Sequence, residues 1–136
     1  MKYLTVMIVA LMAAACSPKK QQTEEKPPAD LKTQVMAVHD EVMPKMGELR
    51  TTQKELLAMA DSSATDSVMA AKYQELATQI ELANESMMDW MRKFNPNFEG
   101  SEEEVKAYLQ DQLKGIKKVS DDMNNSLKAG REALED

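Results

Sequence analysis

A chain of 136 residues with a formal net charge of −6 has the length of a single domain and the wrong charge to sit on a polyanion. Its basic side chains are scattered along the sequence without forming a run, which argues against nucleic acid and anionic membrane surfaces as partners. A single cysteine excludes an internal disulfide, and an aromatic content of 4% leaves the core to Leu, Val, Ile, Ala and Met.

Residues 1–15 have the order of a secretory signal. Lys2 is the charged start, an apolar run follows from Tyr3 to Met12, and Ala13, Ala14 and Ala15 are small. The run is shorter than the roughly 18–20 residues that a permanent membrane helix needs. Cys16 follows directly, and the stretch reads L-M-A-A-A-C-S. It resembles the lipobox of bacterial lipoproteins. Ala14 and Ala15 match the two positions before the cysteine, and Ala13 stands where the family prefers leucine. The resemblance implies cleavage before Cys16, fatty acylation (palmitate among the chains) on its sulfur and on the new amino group, and membrane attachment through several chains. Ser17 followed by basic residues implies, by the same resemblance, the outer membrane facing the periplasm.

Residues 16–30 form the lipidated cysteine and a disordered linker. Three prolines, mixed charge and no apolar run give nothing to bury. As a coil the linker reaches on the order of 20 Å. Residues 31–136 carry the folded unit, an all-α antiparallel up-down-up three-helix bundle of coiled-coil type.

A first helix is predicted over about 31–60, with Asp30 as its cap and Leu31, Val35, Val38, Val42, Met46, Leu49 and Leu56 as its apolar stripe. Pro44 interrupts the pattern without shifting its phase, so one bent helix is expected. Residues 61–66, D-S-S-A-T-D, are a turn rich in caps. A second helix over about 67–94 carries Met69, Tyr73, Leu76, Ile80, Ala83, Met87, Trp90 or Met91, and Phe94 at alternating steps. Asn95-Pro96-Asn97 ends it. Ser101 and Glu104 have capping-box spacing and open a third helix with Val105, Leu109, Ile116, Val119, Met123, Leu127 and Leu134 on one face. Gly115 and Gly130 weaken that helix locally.

Two stretches concentrate unusual side chains. Residues 35–46 read V-M-A-V-H-D-E-V-M-P-K-M and hold the only histidine; residues 87–91 read M-M-D-W-M and hold the only tryptophan. Folding the first two helices about a turn near residue 63 sets His39 level with Met87 and Met36 level with Trp90. Tyr108 and Leu109 of the third helix join the same layer. One reading of this layer is packing, with flexible methionines filling the space left by a bent helix. The other is a soft-metal site for Cu(I) or Ag(I) formed by Met36, His39, Met43, Met87, Trp90 and Met91, because thioether and imidazole suit soft cations. In residue types alone that set is similar to periplasmic copper chaperones. Haem held by His39 and a methionine is a third reading, weakened by the missing C-x-x-C-H and by a narrow core.

No phosphate loop and no H-E-x-x-H occurs, and His39 and Asp40 are adjacent helix residues expected to point apart, so no hydrolytic relay is read from them. With the lipobox, the two motif stretches resemble a group of small bacterial envelope lipoproteins often labelled "viral A-type inclusion protein". The resemblance covers roughly residues 31–130 and implies an envelope lipoprotein with no catalytic residues. The expectation is a non-enzymatic helical binding or scaffolding module. It needs no cofactor, is attached to the membrane through Cys16, and meets a protein partner or a second copy of itself.

Overall fold

The structure is a computed structural model and describes residues 27–63 and 65–135. Cys16, the signal at 1–15 and the first part of the expected linker lie outside the described residues. The elements are α1 (Pro28–Val42), a 3-10 turn (Met43–Lys45), α2 (Met46–Ser62), α3 (Ser67–Lys93) and α4 (Glu102–Glu135). Among the described residues there is no strand. The bundle is all-α, as the periodicity predicts, with α1 and α2 forming one bent rod.

α1 starts three residues earlier than expected. Pro28 occupies the first turn, where a ring-fixed φ suits a helix and a missing N–H costs nothing. The Pro27 carbonyl accepts from the N–H of Asp30 at 3.0 Å and of Leu31 at 3.2 Å. Asp30 is therefore not the cap. It sits inside the first turn, where a negative charge complements the helix dipole, and its carboxylate accepts from Gln34 Nε2 at 2.9 Å.

Pro44 bends the rod without breaking it. Val42 (φ −98°, ψ −27°) and Met46 (φ −58°, ψ −35°) stay right-handed, and the Met46 N–H donates to the Met43 carbonyl in a tightened 3-10 step. The bend changes partners. α1 lies on α4, whereas α2 lies mainly on α3 with α4 beside it. Lys45, inside the bend, donates to Asn124 Oδ1 of α4 at 2.6 Å. Glu48 and Arg131 add an ion pair between α2 and α4.

Both loops are closed by caps. The Asp66 carboxylate accepts from the N–H groups of Val68 and Met69, each at 3.1 Å. Ser101 and Glu104 form the predicted box: the Ser101 N–H donates to Glu104 Oε2 at 2.8 Å, and the Glu104 N–H donates to Ser101 Oγ at 3.3 Å. The backbone and side-chain bonds with Ser101 hold the Glu104 carboxyl below the usual glutamate value. A lowered value means that the box contributes fully above the usual glutamate value and is lost as pH falls through the lowered one.

The core follows the predicted stripes. Leu49, Leu56, Ile80, Met87, Ile116, Met123, Val35 and Val42 have fully buried side chains. Hydrophobic periodicity missed a second class: Thr52, Ala60, Ala77, Ser126, Gly130 and Ala133 are also buried. They are small. Of the four glycines, Gly130 leaves the least room. A Cβ built there lies 2.8 Å from Thr52 Cγ2 and 3.0 Å from Ile80 Cδ1. Alanine at an open helical site would gain about 1 kcal/mol over glycine. At Gly130 overpacking against a β-branched neighbour should cost ~1–3 kcal/mol and outweigh that gain. Gly130→Ala is expected to lower stability in urea unfolding; a stabilised variant would refute the close approach.

Candidate functional site

The layer at the α1–α4 end of the bundle is built around Trp90. The structure brings His39 to it: the imidazole and indole centroids are 5.8 Å apart at 33°. This is a register different from the expected one. α2 runs to Ser62 and α3 begins at Ser67, so the turn is centred between residues 64 and 65 instead of near 63. His39 is therefore matched with Trp90, nearly one helical turn beyond Met87.

From Trp90 a series of stacked rings crosses to α4 and the loop before it. Phe94 stacks on Trp90 at 4.8 Å, Phe94 faces Tyr108 at 6.4 Å, and Tyr108 stacks on Phe98 at 4.3 Å. Tyr108 also accepts the Asn95 N–H at 2.7 Å, and Lys32 of α1 donates to the Pro96 carbonyl at 2.6 Å. These bonds fix the α3–α4 loop against the start of α1. The one-turn spacing of Trp90 and Phe94 was the sequence signal for this cluster.

The six residues of the soft-metal reading occupy different environments. Met87 is fully buried in the core, and Met43 and Met91 are half-buried against it. Met36 is half-buried and outside the core cluster. Trp90 is buried, with an indole N–H that has no hydrogen-bond partner. The His39 side chain is 18% exposed, and its Nδ1 lies 2.9 Å from Asp40 Oδ1. That contact agrees with the packing reading, in which His39 sits at the edge of the bundle bonded to a neighbouring carboxylate. With an ionised Asp40, Nδ1–H is the donor and Nε2 is left as the free nitrogen. The described hydrogen bonds join no hydroxyl or thiol to the ring, so a nucleophile–base pair is not assembled there. Among the described residues no group of three or more His, Cys, Asp or Glu side chains is arranged to hold a metal.

Charge is arranged differently from the linear sequence. Lys93 of α3 and Lys114 and Lys118 of α4 line one cavity of about 340 Å³ beside Trp90 and Gly115. The lysines that look scattered along the chain are thus gathered by the α3–α4 pairing. A second groove, of about 510 Å³, runs between α2 and α3, lined by Arg50 of α2 and by Glu81, Glu85, Asp89 and Arg92 of α3. Its opposite charges offset one another, and Arg92 is already paired with Asp89.

In the packing reading the methionines matter by volume. Met36→Leu, Met43→Leu, Met87→Leu and His39→Gln should each cost under ~1.5 kcal/mol in urea unfolding, because shape is nearly kept. A larger loss at His39 would show that its bond to Asp40 and its contact with Trp90 hold the bend together. No family model, no curated protein and no solved structure matches the chain.

Proposed function

We propose that the protein is a lipid-anchored, non-enzymatic helical binding or scaffolding module of the bacterial envelope, attached through Cys16 to the outer membrane and facing the periplasm. The observation that carries this reading is the lone cysteine in L-M-A-A-A-C-S, directly after a signal-like run and shortly before the first helix. The placement of the elements is consistent with it. The chain enters the bundle at Pro28, at the end closed by the α3–α4 loop. Of the exposed large apolar side chains, Leu57, Met59 and Val68 flank the α2–α3 turn at the other end, Leu82 and Met88 lie along α3, and Phe98 lies in the α3–α4 loop. An anchor at the first end leaves the α2–α3 turn as the end farther from the attachment point. No helix among the described residues is long and apolar enough to cross a membrane.

Anchorage is tested by Cys16→Ala. The variant should leave the membrane fraction or accumulate unprocessed, because attachment by several acyl chains is lost. Unchanged processing and fractionation would refute the lipoprotein reading.

One observation favours soft-metal binding as a second reading. A carboxylate on Nδ1 with Nε2 left free is the usual arrangement of a metal-ligating histidine. Cu(I) would then bind at Nε2 with neighbouring thioethers and quench Trp90, whose ring is 5.8 Å from the imidazole. Titration of Cu(I) into the protein against a competing chelator decides the matter. The scaffolding reading expects no stoichiometric binding. Tight one-to-one binding that His39→Gln abolishes would replace that reading with the metal one.

A further inference from the structure

α1 is the shortest α-helix of the bundle and joins the rest through the Pro44 bend. We infer that α1 is a removable cover: it leaves the bundle as a unit about residues 42–45 and uncovers a helix-docking face on α4 beside Trp90, which an amphipathic helix of a partner protein takes in its place.

The first observation is the break in the backbone ladder. Pro44 brings no N–H, and Met43–Lys45 is a 3-10 turn inside an otherwise α-helical rod. A 3-10 stretch in mid-helix often marks a hinge. The rod is clamped just beyond it, by Lys45 on Asn124 and by Glu48 on Arg131. Motion about the turn therefore carries α1 away and leaves α2 against α3 and α4.

The second observation is how α1 is held. A helix of 15 residues is marginal by itself in water, so docking must sustain it. Its buried side chains are Leu31, Val35 and Val42, with Val38 and Met43 half-buried against the core. Lys32 adds a bond to the Pro96 carbonyl, but that bond is exposed. The seam is not tightly filled at its start: a cavity of about 200 Å³ is lined by Pro28 and Ala29 of α1, Val105 and Leu109 of α4, and Phe98 of the loop.

The third observation is what α1 covers. It lies on α4, and its His39 ring stands 5.8 Å from the Trp90 indole. Trp90 is 8% exposed and Leu109 5%, with α1 in place. The face beneath is already fitted by a helix that presents Leu31, Val35 and Val42 at steps of four and seven. An occupant of the same chemistry, apolar at those steps and polar outside, is what this face accepts. The inference rests on the binding-module reading and names its surface and partner. The segment from Cys16 enters the bundle through α1, so a pull from the membrane falls on the cover first.

Hydrogen exchange of the full protein in nonionic detergent tests the opening. The amides from Val35 to Val42 should exchange at one common rate, at least about 100-fold faster than those around Ile80 and Met123. A single rate for the whole bundle overturns the inference, and so does a gradient that fades towards Val42, which is fraying. Val35 and Leu49 are equally buried, at 0% exposure, on opposite sides of Pro44. Val35→Asp should release α1 and shift the emission of the sole tryptophan to the red, while α3 and α4 keep their protection. Leu49→Asp should strip protection from α3 and α4 as well. Equal loss in the two variants overturns the hinge. A synthetic peptide of residues 28–42, added to the Val35→Asp protein, should return the emission towards the blue and saturate. The same peptide carrying Val35→Asp should bind at least about tenfold more weakly. Absence of a saturable return, or equal affinity of the two peptides, overturns the docking face. None of these measurements depends on Cys16, so their failure leaves the anchored module standing without this surface.

Discussion

Pro44 has no N–H to offer the Asp40 carbonyl, and much of the arrangement follows from that missing donor. A straight first helix would pair with one neighbour along its length. The bent one lies on α4 before the bend and on α3 after it. The proline therefore works as a topological device: a single rod closes both sides of the α3–α4 pair. The bend itself is held from across the bundle. Lys45 reaches Asn124, and Glu48 pairs with Arg131, so α4 grips the rod where its backbone ladder is weakest. The surface ion pair contributes little by itself. The half-buried Lys45–Asn124 bond, from an ammonium to an amide oxygen, is charge-assisted and fixes the direction in which the rod bends.

The two helical glycines of α4 have the same intrinsic cost and different uses. At Gly130 the missing side chain lets α4 settle against Thr52 and Ile80, and the place a Cβ would take is already filled by its neighbours. At Gly115 the corresponding place is open, with the indole at ordinary contact distance. Helix propensity treats both as local weaknesses of about 1 kcal/mol. Tertiary context separates them into a packing contact and a vacancy, and no scale based on one position can do so.

This difference marks where the sequence was legible. The three apolar stripes were read nearly complete because Leu31 to Leu56, Tyr73 to Met87 and Leu109 to Leu127 repeat at steps that only a helix satisfies. The capping box at Ser101 and the bend at Pro44 were legible for the same reason, since each depends on residues a few positions apart. What failed depended on distant residues. The hairpin register moved because two extra residues joined α2 before the turn, which carried His39 from Met87 to Trp90. The small buried positions Thr52, Ser126 and Ala133 look like surface residues until a neighbouring helix lies on them.

Charge was the least legible property, because it is summed along a chain but acts in space. A net charge of −6 describes a surface that repels anions at a distance. At physiological salt that repulsion is screened beyond about 8 Å. Within that range a small ligand meets only the groups that line its cavity, and around Trp90 those are Lys93, Lys114, Lys118 and Asp111. With Lys118 held by Asp122, the remaining balance beside the indole is positive. The two fields therefore act on different partners. The protein-wide field disfavours extended polyanions, whose many charges sample the whole surface. The local field is set by the few side chains that line the cavity, Lys93, Lys114 and Asp111. A net acidic chain and a locally positive cavity are thus compatible in one bundle, and the α3–α4 pairing that folds the protein also brings those lysines together.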